Sequence, residues 1–195
     1  MSQRPAKIGI TPIERIPMGL FNRRKKSPEP TPPAAEPQPW KEEIPWGTQY
    51  GGRELGLPAP LAVESAPVIA EWFVGIFAED SDVDLDFSLR SLADVDSILT
   101  HFEERGSERT AEVTAASGFY AGEVLVRTLG LHWVLANDFP ELNVPEVLNY
   151  AVVSPHGSGT YNIVNKAFKR VENGDEDSIA FFARAIVAQE NAARG

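Results

Sequence analysis

The 195-residue chain has no cysteine. That excludes a disulfide-stapled fold, a thiolate metal site and a cysteine nucleophile. No apolar run approaches about 18 residues, so no membrane-spanning helix is expected. The opening residues carry no basic-then-apolar pattern with a small-residue cleavage site, so a secretory leader is not expected and the cytoplasm is the natural compartment. Histidine is scarce, with His101, His132 and His156 the three present. None stands in H-x-x-x-H or H-E-x-x-H spacing, so no sequence-local zinc site is expected. Internal repeats are absent, and no cofactor motif is complete.

What is there is uneven. Residues 1–60 hold 12 of the 16 prolines, with nine basic and six acidic side chains, a balance of +3. Residues 61–195 hold nine basic and 22 acidic side chains, a balance of −13 that brings the whole chain to −10. The composition therefore divides the chain into a disordered or extended, Pro-rich, basic tail and linker over 1–60 and an acidic folded domain over 61–195. Ser27 to Pro39 (SPEPTPPAAEPQP) is expected to be polyproline-like, because proline fixes φ and removes donors. Trp40, Ile44, Pro45, Trp46 and Tyr50 are apolar enough either to strap onto the domain or to bind a partner. Met18-Gly-Leu-Phe-Asn-Arg-Arg-Lys-Lys reads like a translation start, with residues 1–17 as an upstream extension. Its four bases and one Leu-Phe pair give only weak attachment to anionic lipid, so no stable membrane association is expected.

Within the domain, apolar spacing predicts helices over Ser65–Glu79, from Ser88 or Ser91 to Glu104, over Ser107–Leu129, over Tyr161–Val171, and from Asp175 or Asp177 to a frayed end. Ser65 is the expected N-cap of the first, with Pro67 in its first turn. Gly118 and Gly122 inside the third each cost up to ~1 kcal/mol relative to alanine, which suggests that another backbone approaches there. Strands are expected near 83–87, 131–136 and 147–153, with one more short strand around Leu142. The expected fold is α+β: a small antiparallel sheet covered by four to five helices.

Each candidate chemistry was weighed against a structural role. Asp80, Asp82, Asp84 and Asp86 alternate with apolar residues, but an EF-hand needs Gly at position six and Glu at twelve. Counting from Asp80 those positions hold Leu85 and Ser91, and from Asp82 they hold Phe87 and Ala93. A wet strand face is the simpler reading. Pro155-His-Gly-Ser-Gly-Thr160 lies where backbone amides would bind an anion, yet it lacks the Walker lysine and the third dinucleotide glycine.

The most distinctive run is Tyr120-Ala-Gly-Glu123-Val-Leu-Val-Arg127-Thr-Leu-Gly130-Leu-His-Trp133. Glu123 and Arg127 stand at i, i+4 in the favourable order, and a carboxylate in apolar surroundings needs such a partner. The run is either an ion pair tying helix to sheet or a contact for a ligand or partner through Tyr120, Glu123, Arg127 and Trp133. This Y-x-G-E-V-x-x-R-x-L-G-x-x-W pattern, with Asn162 to Ser178, resembles a family of small, mostly actinobacterial proteins of unknown function. The resemblance spans roughly residues 65–188 and implies a compact α+β domain with no assigned activity.

No catalytic residue, metal site or cofactor emerges. The leading expectation is a non-enzymatic cytoplasmic interaction domain. Its acidic surface would take a basic protein partner, as an immunity protein or inhibitor does, and would repel nucleic acid. The alternative is a ligand-binding or hydrolytic enzyme using Glu123, with Tyr120, Arg127 or His132, in a helix–sheet cleft. A third is a structural assembly subunit. The sequence sets no oligomeric state.

Overall fold

The computed structural model of the chain describes residues 49–50, 52–79, 82–139, 148–157 and 159–194. The expectations for Met18, the Ser27–Pro39 linker, Trp40 to Trp46 and a strand around Leu142 fall outside these residues. A two-strand hairpin, β1 (Gln49–Tyr50) and β2 (Arg53–Glu54), opens the described chain. Helices α1 (Ala66–Phe77), α2 (Leu92–Thr100) and α3 (Ala111–Leu129) follow. Then come β3 (His132–Leu135), β4 (Tyr150–Val153), β5 (Thr160–Tyr161), α4 (Ile163–Asn173) and α5 (Ile179–Arg194). Strands β3, β4 and β5 form one antiparallel sheet with β4 central, in the registers His132↔Val153 and Val152↔Tyr161. The fold is thus α+β, a small antiparallel sheet with five helices.

Helix α3 is the axis. Every residue from Thr114 to Leu125 is buried, so the helix is enclosed on all sides rather than amphipathic. Its small residues admit the neighbours. A Cβ on Gly118 would lie 2.7 Å from the Val164 Cα of α4, and one on Gly122 would lie 2.2 Å from the Trp133 ring. The expected backbone approach is present at Gly118, where α4 makes it, while at Gly122 it is the Trp133 side chain that comes close. Gly130, at φ 72°, ends α3 in the left-handed conformation and sends its N–H to the Val126 carbonyl.

Several elements depart from expectation. The 83–87 segment is not a strand. Phe87 takes φ 60°, the Phe87 N–H donates to the Tyr120 hydroxyl at 2.9 Å, and the Ser88 N–H donates to the Asp86 carboxylate at 2.9 Å. Donors that a strand would give a neighbour are taken by α3 at Phe87 and by a local turn at Ser88, and only Leu85 of the alternating set is buried. The third strand is instead Thr160–Tyr161, where the end of a loop and the first residue of the helix were expected, and Asn162 caps α4 by accepting from the Asn165 N–H at 2.9 Å. Ser65 does not cap α1 through its side chain, because a 3-10 turn, Val63–Ser65, runs straight into the helix. The hairpin and the chain after it, placed in the tail by composition, reach the core. Tyr50 packs on Phe168 with ring centroids 4.7 Å apart, and Leu55 is buried.

Helix α5 begins neither with Asp175 nor with Asp177 as its cap. Asp96, on α2, accepts the Ile179 N–H at 2.8 Å and the Ala180 N–H at 3.1 Å, while Ser178 Oγ accepts the Phe181 N–H at 3.0 Å. Nor does α5 fray early: Arg194 donates to the Leu129 carbonyl at 2.6 Å, satisfying the end of α3. Asp177 pairs with Lys166 at 2.6 Å, and these hydrogen bonds, with those from Asn173, hold its carboxyl below the usual range.

Arg170, which composition did not single out, is the largest fully buried side chain, 1% exposed. Its guanidinium pairs with Glu103, with Asp175 at 2.8 Å and with Asp96 at 3.4 Å, and donates to Thr100 Oγ1 at 2.6 Å. One cation thus joins α2, the 3-10 turns that follow α2 and α4, and the residue that caps α5.

Arg170→Ala should destabilise the fold by about 3–5 kcal/mol in urea unfolding, because the partly buried Asp96 would lose its cation and a cavity would replace the guanidinium. Glycine substitutions should split by site. Gly75→Ala, with open space around the new methyl, should add about 0.5–1 kcal/mol. Gly122→Ala should cost about 1–3 kcal/mol despite the same propensity gain, because the Trp133 ring has to move. Thermal melts of both variants check the opposite signs.

Candidate functional site

Tyr120, Glu123 and Arg127 recur at three and four residues, so α3 puts them along one side. The Gly130 turn returns the chain as β3 and lays the Trp133 ring over Gly122. From there Trp133 Nε1–H donates to Glu123 Oε1 at 2.8 Å. Arg127 Nε–H donates to Glu123 Oε2 at 3.3 Å, and its Nη2 reaches Glu71 Oε1 on α1 at 3.0 Å. The guanidinium lies over the Phe87 ring, 3.5 Å from its centroid, a cation–π contact. Phe87 in turn stacks on Tyr120 at 4.7 Å. The structure thus gathers all four residues into one network and adds two, Glu71 and Phe87.

The hydroxyl hydrogens can be assigned. Ser91 Oγ donates to the Ser88 carbonyl at 2.7 Å, which uses its single hydrogen. Tyr120 therefore donates to Ser91 Oγ at 2.6 Å while accepting from the Phe87 N–H. Tyr120 is fully buried, and that burial raises its phenol above the ordinary value of 10.0, offset in part by the bonds to Ser91 and Phe87. Burial raises Tyr150 likewise, and its hydroxyl donates to the Leu61 carbonyl at 2.6 Å.

Glu123 is 5% exposed, and both its oxygens accept from donors of this chain. The space where a helix–sheet cleft was expected holds the Trp133 indole. What the network presents outward is Arg127 and Glu71, their side chains 39% and 59% exposed. Chemically it is a strut. It pins the 87–91 turn against α3 and fixes one guanidinium beside the acidic segment that precedes that turn.

Two other candidates resolve differently. In the 155–160 loop the His156 N–H donates to Ser154 Oγ at 3.1 Å and the Gly157 N–H to the Ser154 carbonyl at 3.3 Å, so these amides close the turn rather than face an anion. Ser154 donates to Glu190 at 2.7 Å, and Tyr161 donates to the same buried carboxylate at 2.9 Å. Among the described residues no three His, Asp or Glu side chains are placed to hold a metal ion. Asp86 serves the Ser88 turn, and those hydrogen bonds lower its pKa.

Sequence reasoning missed Glu71 and Phe87. Glu71 sits on the wet side of α1, where spacing gives no hint of a partner 56 positions away. Asp86-Phe-Ser88 did carry a signal, an Asx turn, which the alternation of apolar residues outweighed.

Trp133→Phe removes the donor to Glu123 and the outer edge of the ring that lies over Gly122. It should cost about 1–3 kcal/mol in chemical unfolding, the cost of an unsatisfied buried carboxylate oxygen. At high pH the raised phenols of Tyr120 and Tyr150 set the direction. Their contribution is fully present below the unfolded value of about 10 and is lost as pH rises through the higher folded values. A 295 nm titration should therefore show these two tyrosines ionising later than free tyrosine, together with loss of helical circular dichroism. Comparison with family models, curated proteins and solved structures found no match, so the family resemblance rests on the Tyr120–Trp133 and Asn162–Ser178 runs alone.

Proposed function

We propose that the chain is a cytoplasmic, non-enzymatic interaction domain whose acidic edge receives a basic protein partner, in the manner of an immunity protein or inhibitor. One observation carries the reading. Glu79, Asp82, Asp84 and Asp86 are all exposed along a single segment, which the buried Leu85 anchors and the Tyr120–Arg127 network fixes at Phe87. Several of the domain's few cations face their own carboxylates. Arg127 is paired with Glu71 and Glu123, Lys166 with Asp177, and Arg170 with Asp96, Glu103 and Asp175. An edge of one sign steers an oppositely charged partner and disfavours nucleic acid. No helix among the described residues is long and apolar enough to cross a membrane.

A catalytic Glu123 has less support, because its carboxylate is enclosed and both oxygens are held by Trp133 and Arg127. In this reading Tyr120, Glu123, Arg127 and Trp133 serve the partner by holding the edge in place. Arg127 and Glu71 stand at its border.

The test is affinity capture from a native lysate, with the partner identified by mass spectrometry. The expected partner is basic and is released as salt rises past the point where the Debye length falls to about 3 Å. The double variant Glu79→Lys, Asp84→Lys should melt as the wild type does, since both positions are exposed, and should lose that partner. An enriched partner that is neutral or insensitive to salt overturns the proposal.

A further inference from the structure

Away from the Glu123 network lies a cavity of about 390 Å³, lined by Phe77, Asp82, Val83, Ser97, Ile98, His101 and Phe102. Its size and its mix of apolar walls with a few polar groups are those of a small-ligand site. Phe77, Val83, Ile98 and Phe102 supply the apolar walls. The three polar groups have one property in common. His101 Nδ1 donates to the Ser97 carbonyl at 2.9 Å, so Nε2 is the ring nitrogen left to accept. Ser97 Oγ spends its only hydrogen on the Ala93 carbonyl at 3.0 Å and is left with lone pairs. Asp82 is a carboxylate. All three therefore accept hydrogen bonds. Two helices also end here: α1 closes at Phe77, and α2 closes at Thr100, beside His101. The C-terminal end of a helix carries partial negative charge and favours a cation.

We infer that this cavity binds an organic cation, a primary ammonium or guanidinium on an apolar stem, with the stem against Phe77, Ile98 and Phe102 and the head group at Asp82, Ser97 and His101. An anion of the same shape is rejected, because the Asp82 carboxylate and the two helix ends oppose it. The site does not depend on the acidic-edge reading. Screening by salt weakens the edge, whereas the cavity acts by contact and takes a ligand of a few atoms.

The test uses the full chain, labelled with ¹⁵N, and three probes: 4-phenylbutylamine, its anionic counterpart 4-phenylbutyrate, and N-acetyl-lysine N-methylamide. The amine should give saturable amide shifts confined to residues 82–83 and 97–102, and the butyrate should give none. Asp82→Asn, at an exposed position, should weaken the amine about tenfold with an unchanged melting temperature, as loss of a charge-assisted bond implies. Val83→Trp, which fills the cavity from its partly exposed wall, should abolish binding. Comparable binding of the capped lysine assigns the site to a basic side chain of a protein, and binding of the amine alone assigns it to a free small amine. Equal binding of butyrate, full affinity in Asp82→Asn, or no saturable shift at millimolar amine overturns the inference. None of these outcomes bears on the Glu79→Lys, Asp84→Lys variant, so the two readings fail separately.

Discussion

The fold turns on a buried guanidinium. Taking an arginine out of water costs several kcal/mol unless its donors are met by well-placed acceptors. Arg170 meets Asp96 and Thr100 on α2, Glu103 in the turn after α2, and Asp175 in the turn after its own helix. Asp96 has a second task, since it accepts the first two N–H groups of α5. Neutralising the arginine and starting the last helix are therefore one event. Until α2 has docked, α5 lacks its cap and Arg170 lacks one of its three carboxylates. Such shared groups make folding all-or-none across α2, α4 and α5.

The other half of the molecule is organised by α3 and by what its small residues permit. Gly118 lets the backbone of α4 come close, and Gly122 leaves room for an indole. That indole then becomes the donor that orients Glu123, which orients Arg127, which holds Phe87. The chain of contacts runs from a missing Cβ in the core to a surface turn at Phe87 and Ser88. It ends where the acidic residues Asp82, Asp84 and Asp86 meet solvent. Buried polar groups whose bonds are all made give a unique arrangement, and here the arrangement they fix is that of an exposed loop.

Reading spacing worked where burial is one-sided and local. The apolar stripes of α1, α2 and α4 each turn one face to the core, so period 3.6 found them to within a few residues. β3 and β4 were legible from β-branched and aromatic runs. Alternation failed at 83–87. A period of two describes any extended segment, while a strand also needs a neighbour with free donors and acceptors. Tyr120 takes the Phe87 N–H, and Asp86 takes that of Ser88. The brief β5 was hidden inside a helix-like pattern because two residues are too few to show a period.

Composition and pattern by themselves determined the α+β class, the acid excess of the domain, the absence of thiol chemistry and the pairing of Glu123 with Arg127. These depend on side-chain type or on neighbours within one helical turn, which the linear order specifies. Tertiary structure alone decided that Trp133 would be the second donor to Glu123, that Asp96 would cap a helix 83 positions away, and that α4 would bury Arg170 rather than expose it. It also decided that Asp82, Ser97 and His101 would line one cavity. The physical reason is the same each time. Hydrogen bonds and ion pairs over long sequence separation form only once packing has brought the groups together, and spacing along the chain carries no record of that.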